Sequence, residues 1–492
     1  MISQTTRKLL PALAALSLAA CASTHGIAPE GTMRSADRLH SERALGNTKL
    51  SNVAWPGASW WNGLGDPQLD RLIKDGLADA PSVAAANARV RKAFAQAGLA
   101  EAGIYPTLGA SAQESHIQLP ETLAPAPIGG KLMHSTILSL NFSWAPDIWG
   151  GKHAKYDAAI GQARAQEVDV QAARASLIQN ITQTYVGLDQ AYEMRDVAAQ
   201  DAKRNAGLRV LAAQRVKAGI DNQIVLSQII SAEEAAHQQQ KAAEQQIVAL
   251  KTTLAMLAGQ GPDYGLSIER PNLNTPAIAI PSTLPSELVS RRPDVVAARW
   301  RVEAASRGID ASKADFYPSL NLSAMLGVAA GNLKDLFGSD ALLVYGGPAI
   351  SLPILDGGRL RNQLRGSDAD FDLAVAGYDQ AVLTAMRDIV DAVQTARALD
   401  SEIASAKASR AAADKSARLT QQRRQAGLAT QLDVLNAQKP LLQLDQQIKQ
   451  LQSKRIDAWV RLNVALGGGV PVNEAAVSTA FDKKNDSKGN PQ

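Results

Sequence analysis

One phrase occurs twice in this chain. QRVKAGIDNQIVLS runs from Gln214 to Ser227, and QRRQAGLATQLDVL runs from Gln422 to Leu435, 208 residues later. At that single offset Gln214 pairs with Gln422, Gly219 with Gly427, Gln223 with Gln431 and Leu254 with Leu462, without interruption through Gly259 and Gly467. A second set of matches, at an offset of 212, pairs Pro81 with Pro293 and Tyr105-Pro106 with Tyr317-Pro318. Nearly the whole chain is therefore one unit written twice, and an architecture that serves one copy must serve both.

The unit opens with a helical stretch, about 66–103 with a break near Pro81, matched by 285–315. After each Tyr-Pro the period changes from helical to alternating. Leu138, Leu140, Phe142 and Trp144 point one way while Ser139, Asn141 and Ser143 point the other, and Leu320 and Leu322 alternate with Asn321 and Ser323. The pattern predicts four strands, near 106–117, 134–145, 318–328 and 343–354, each pair joined by a Gly, Pro and Ala-rich loop. From Gly151 to Lys217, and again from Gly358 to Arg424, only tolerated glycines interrupt a helical pattern, giving two tracts of 67 residues. At about 1.5 Å per residue each reaches about 100 Å. Val375, Val382, Ile389 and Ala396 recur every seven residues beside Leu364, Phe371 and Tyr378, which predicts left-handed pairing with another helix. The glycine phrase then turns the chain back into return helices, about 222–257 and 430–466.

The flanks address the chain. Arg7 and Lys8, the apolar run from Leu9 to Ala20 and the small residues after it read as an export signal over 1–20. The only cysteine, Cys21, directly follows Leu18-Ala19-Ala20, in a pattern that resembles a bacterial lipobox. There the thiol takes diacylglycerol and the new N-terminus an acyl chain such as palmitate. Ala20-Cys21-Ala22 also fits ordinary A-x-A cleavage, but a secreted chain with one unpaired cysteine would then carry a stray reactive thiol. Alanine rather than aspartate at 22 points to the outer membrane. Residues 21–65 read as a lipidated arm, 66–258 and 285–466 as the two repeats, 259–284 as a proline-rich linker and 467–492 as a polar tail.

A formal charge of +4 with interleaved acids and bases offers no nucleic-acid face. With only 4% aromatic residues the composition suits helices. After Cys21 no run approaches the roughly 18 apolar residues of a membrane helix, so any crossing of a bilayer must use strands. Strands cross only as a closed barrel, since open edges leave backbone groups unsatisfied. Three copies of four strands make twelve, an allowed even number. Helices about 100 Å long, set side by side, extend the same cylinder. The physics suggests a tube, mainly α with a β-barrel part.

The ordered set of Cys21, WWNGLGDPQLDRLI at 60–73, LPSELVSRRPDVVAAR at 284–299, the two Tyr-Pro steps and the two AG-containing hairpin phrases resembles the TolC-like outer-membrane factors. The resemblance is specifically to their lipoprotein branch, the NodT-type channels that serve resistance-nodulation-division pumps. It implies a homotrimer with a twelve-stranded outer-membrane barrel continuous with a periplasmic coiled-coil α-barrel. Its inner end would dock on a periplasmic adaptor and an inner-membrane pump, with cargo leaving passively and no cofactor beyond the lipid on Cys21. The repeated phrase would then be the turn of a helical hairpin at the periplasmic mouth. Gly219 and Gly427 can take the left-handed conformation that ends a helix, and Asp221 or Asn222, and Thr430, can cap the next one. The resemblance makes Asp433 a gate residue, with Asn436 and Asp221 as further candidates. Thr430-Gln431-Leu432-Asp433 is equally a capping box, and both readings stand. Asn436, Ala429 and Val225 replace charged residues found in richer gates of the family.

Two other classes compete. The six histidines, 25, 40, 116, 134, 153 and 237, show no metal-spaced pair, and no nucleophile elbow or phosphate loop accompanies them, which argues against an enzyme. A lipid-anchored periplasmic adaptor or scaffold would suit the helices and the lipid but leaves the paired strands unexplained. No Met or His cluster marks a metal path, which favours drugs or other small organic molecules as cargo.

Overall fold

A computed structural model describes residues 24–34, 43, 50–51, 55–123, 125, 127, 129–278, 280–281 and 291–469. The export signal, Cys21, the start of the second helical stretch at Pro285 and the tail beyond 469 lie outside the described residues. Helices α1 (Pro67–Asp79) and α2 (Pro81–Ala102) precede strands β1 (Thr107–Gln118) and β2 (Leu132–Trp144). Helix α3 (Gly151–Lys217) is 67 residues long and returns as α4 (Gln223–Leu257). The second copy repeats the order with α5 (Pro293–Ala314), β3 (Ser319–Ala330), β4 (Leu342–Ser351), α6 (Arg359–Gln425, again 67 residues) and α7 (Gln431–Ala465). Residues 50–51 and 280–281 form a short parallel pairing.

The described residues divide into two compact units. One lies within residues 1–33, 90–166 and 298–378, the other within 34–89, 167–297 and 379–492. In the first, the four strands form one antiparallel sheet in the order β1-β2-β3-β4. The Tyr-Pro steps into it are pinned by indoles: Trp144 donates to the Ile104 carbonyl at 3.0 Å, and Trp149 donates to the Pro318 carbonyl at 2.7 Å while stacking on Tyr317. Below the strands Ile309, Phe316, Leu360 and Leu364 form a core on which Ile27 of the N-terminal arm also packs. The arm is tied down by the Gly31 amide, which donates to Asp372 at 2.7 Å. The glycines early in α3 have a packing reason: a Cβ at Gly161 would lie 2.9 Å from Ala304 Cβ, so α3 and α5 approach closely there.

The second unit explains the WWNGLGDPQLDRLI motif. Asp66 caps α1 by accepting from the Gln68 amide at 2.9 Å, Pro67 takes the first helical position, and Gly65 is left-handed at φ 80°. Asp66 also accepts from the Tyr185 hydroxyl (2.7 Å) and the Asn272 amide (2.9 Å), which binds the proline-rich segment to the helices. Trp60, Trp61, Leu69, Ile181, Tyr185, Leu254 and Trp459 are core residues. Trp60 and Trp61 join this core because their indoles bury against α1 and α7. In the RRPDVV motif Arg292 is buried and forks onto Asp294 (3.0 and 2.7 Å), with Asp388 at 3.3 Å.

The hairpin arms are joined by ion pairs, Arg209 to Glu233 at 2.7 Å in the first and Arg455 to Asp400 at 2.7 Å in the second. The sevenfold residues Val375, Val382, Ile389 and Ala396 are all buried. Pro440 sits inside α7, where it removes the N–H that would close onto the Asn436 carbonyl, yet the helix continues to Ala465.

Candidate functional site

The sheet presents two chemically distinct faces. One carries Leu108, Ala110, Leu138, Leu140, Phe142, Leu320, Leu326, Val344 and Ile350, brought into line by the registers Ala110↔Leu140↔Leu326↔Val344. Much of it is exposed: Leu140 47%, Val344 68% and Ile350 76%. Apolar β-branched and leucine side chains facing outward in a sheet stabilise it only if something apolar covers them. The opposite face carries a polar cluster, with Met325 and Tyr345 in register with Asn141 across the sheet. Asn141 donates to Ser111 at 2.9 Å and Ser139 at 3.3 Å, and the two serine hydroxyls are 2.9 Å apart. Among the described residues, strands β1 and β4 each keep one edge without a partner strand.

The two hairpin turns share the bonds that close the helices. Gly219 (φ 70°) follows α3, with its amide donating to the Val216 carbonyl at 3.0 Å and the Ile220 amide to Arg215 at 2.9 Å. Gly427 (φ 74°) follows α6, with its amide donating to Arg424 at 3.0 Å and the Leu428 amide to Arg423 at 2.8 Å. These bonds close the last carbonyls of each helix in a Schellman pattern that requires a left-handed residue. In that pattern the residue after the glycine usually packs back on the helix. Here Ile220 is 62% and Leu428 69% exposed, so each turn ends in an apolar tip.

The turns differ in how each uses its aspartate. In the first, Asn222 rather than Asp221 caps α4, accepting from the amides of Ile224 (3.0 Å) and Val225 (3.2 Å). Asp221 instead takes a fork from Arg215, at 2.6 and 3.3 Å, and the guanidinium holds its carboxyl below the usual range. In the second, Thr430 accepts from the Asp433 amide at 3.2 Å, and Asp433 Oδ2 accepts from the Thr430 hydroxyl (2.7 Å) and amide (2.8 Å). Those donors, hydroxyl first, hold the Asp433 carboxyl below its ordinary value. Asp433 is exposed, and the cap uses one of its two oxygens. Asn436, also exposed, lies three residues on and so shares its helix face. Arg423, the counterpart of Arg215, finds Ala429 where Asp221 stands and donates to the Leu428 carbonyl at 3.4 Å. The apolar tips escaped the sequence reading, although the repeated Ala-Gly-Ile and Ala-Gly-Leu was their signal.

Similarity to known proteins runs along the same features. The model of the family described as "Outer membrane efflux protein" matches residues 72–260 and 284–468. The fusaric acid resistance protein FusA of Burkholderia cepacia is 34% identical over 72% of this chain and 68% of its own length. The pyoverdine export outer membrane protein OpmQ of Pseudomonas aeruginosa is 31% identical over 93% of this chain and 95% of its own. Among solved structures, the outer membrane protein VceC of Vibrio cholerae superposes with a TM-score of 0.75 at 32% identity, over 84% of this chain and all of that one. The CmeC outer membrane channel of Campylobacter jejuni shares the fold, with a TM-score of 0.82 at 21% identity over 95% of this chain and 99% of that one.

Proposed function

The chain belongs to the outer membrane efflux protein family and is an outer-membrane efflux channel, and from that premise we propose that it works as a homotrimer, the passive exit duct of a tripartite system. The observation that carries the trimer is the sheet with two open edges and an exposed apolar face. In hydrocarbon the edge N–H and C=O groups find partners only on another strand. Three copies of the four strands, β4 of one against β1 of the next, close a twelve-stranded barrel whose apolar face meets lipid and whose Asn141-Ser111-Ser139 face meets water. The duct performs no reaction of its own. An inner-membrane pump, of the resistance-nodulation-division type by resemblance, supplies the driving force through a periplasmic adaptor. The names of the relatives, resistance to fusaric acid and export of pyoverdine, favour small organic molecules as cargo.

The hairpin turns form the periplasmic mouth in this reading, with Ile220 and Leu428 as apolar contacts for the adaptor. Asp433 then contributes one carboxylate per chain to a ring at the constriction while capping α7. Asp433→Ser keeps some capping capacity and removes the charge, whereas Thr430→Ala removes the cap and keeps the charge. In planar bilayers, with reversal potentials measured across a salt gradient, Asp433→Ser lowers the cation preference. Thr430→Ala leaves it unchanged while costing about 1 kcal/mol of local helix stability. An unchanged reversal potential in Asp433→Ser removes Asp433 from the gate and leaves it a cap.

Cys21 carries a diacylglycerol and an N-acyl chain in the same reading, an anchor added to a barrel that already spans. Each buried methylene of the lipid contributes about 0.8 kcal/mol of membrane affinity. Cys21→Ser therefore still forms trimers but incorporates less efficiently, and it takes up no labelled palmitate. Continued labelling without Cys21 contradicts the assignment.

A further inference from the structure

Two of the histidines face each other across the first strand pair. His116 on β1 and His134 on β2 are register partners, two pairs before the end of the ladder. Both are exposed. Their rings meet edge to face with centroids 4.6 Å apart, and the two Nδ1 atoms are 2.6 Å apart. Two lone pairs do not face each other at that distance, so one Nδ1 carries a proton and donates to the other. Glu114, two residues before His116 and therefore on the same side of the strand, has Oε1 3.6 Å from His116 Nε2. All three side chains lie on the face that carries Leu138, Leu140 and Phe142 further along, at its loop end. The sheet gains nothing in apolar cover from them there, and pairing alone does not require two imidazoles at one register position.

We propose that His116 and His134 form a binding site for a divalent transition-metal ion, each ring supplying Nδ1 and water completing the coordination shell. Imidazole suits zinc, copper and nickel. Zinc–nitrogen bonds of about 2.0–2.1 Å place two tetrahedral ligands about 3.3 Å apart. The two Nδ1 atoms therefore need to separate by less than about 1 Å, a small rotation for exposed side chains. The ring that now carries its proton on Nδ1 passes it to Nε2, so no net proton is lost when both rings are neutral. For His116, Glu114 lies 3.6 Å from Nε2, close enough for a small side-chain rotation to bring the carboxylate onto that N–H, where it fixes the tautomer and strengthens the ligating nitrogen. Antiparallel pairing supplies the preorganisation: partners at one register position are held by the ladder on both sides. The ion ties the loop end of the hairpin together.

The test uses the full chain in detergent, with any polyhistidine tag removed, titrated with CuCl₂ and followed by electron paramagnetic resonance. One ion per chain with hyperfine coupling to two imidazole nitrogens is expected, and ZnSO₄ displaces it only in large excess, since copper(II) stands above zinc(II) in affinity for such ligands. His116→Ala and His134→Ala each weaken binding by at least about tenfold, the order that even loss of an outer hydrogen-bond partner reaches, and abolish the two-nitrogen pattern. His116→Asn gives the same result in a side chain that keeps the surface polar, and His153→Ala on α3 leaves the spectrum unchanged. Glu114→Gln keeps both nitrogens and weakens binding less than either alanine. Wild-type protein without two-nitrogen coupling, or histidine variants that bind as wild type, overturns the site.

Discussion

Leu140→Arg is expected to remove the protein from the outer membrane as an assembled trimer, while Asn141→Arg, one residue on, assembles. The two positions are neighbours on β2 but point to opposite faces, Leu140 in line with Ala110, Leu326 and Val344, and Asn141 hydrogen-bonded to Ser111 and Ser139. An arginine on the lipid face costs about 2–4 kcal/mol near the bilayer midplane, and the cost recurs in every copy, so a trimer bears about 6–12 kcal/mol. That is comparable with the whole stability of an ordinary domain. At Asn141 the guanidinium enters a polar, wet face and loses only the two serine contacts. Immunoblots of outer-membrane fractions, unheated and heated in detergent, compare the two. Equal tolerance contradicts the assignment of the faces.

The second large effect separates two glycines with similar backbones. Gly219 and Gly259 both have positive φ, 70° and 75°. A Cβ at Gly219 meets nothing within 4 Å, whereas at Gly259 it lies 2.6 Å from the carbonyl carbon and oxygen of Asp79. Gly219→Ala therefore costs only the left-handed conformation, about 1–2 kcal/mol, confined to the hairpin turn. Gly259→Ala adds an overpacking cost of about 1–3 kcal/mol, because the obstacle is backbone that cannot rotate away. Hydrogen–deuterium exchange should show faster exchange at the turn alone for Gly219→Ala, and throughout α1 and the end of α4 for Gly259→Ala. Its counterpart Gly467, whose Cβ would lie 2.6 Å from the Arg291 carbonyl oxygen, should behave like Gly259. The duplication has thus kept a close approach as well as a turn.

Much of this was written plainly in the sequence, for identifiable reasons. Long helices reveal themselves because 67 residues without a breaker admit few other conformations, and the turns because glycine and a capping residue recur at one offset. Alternation exposed the two faces of the sheet at Leu138 through Trp144, since a period of two has a single geometric meaning. The histidine pair was hidden. His116 and His134 are 18 residues apart with a loop between, and only the register Ser111↔Ser139 and its neighbours brings them opposite each other. The use of Asp221 was equally opaque, because Asp and Asn cap alike and the deciding factor is Arg215 six residues earlier on the preceding helix. The apolar tips went unread because an isoleucine or leucine after a C-terminal glycine ordinarily packs inward.

In the proposed assembly one chain supplies a third of a closed barrel. Native mass spectrometry of the detergent-extracted full chain counts the copies directly. Three chains per particle is the expected result, giving twelve strands with no open edge, and Leu140→Arg should shift the count toward one. A wild-type particle of a single chain, with the edges of β1 and β4 left without a neighbouring copy, would contradict it.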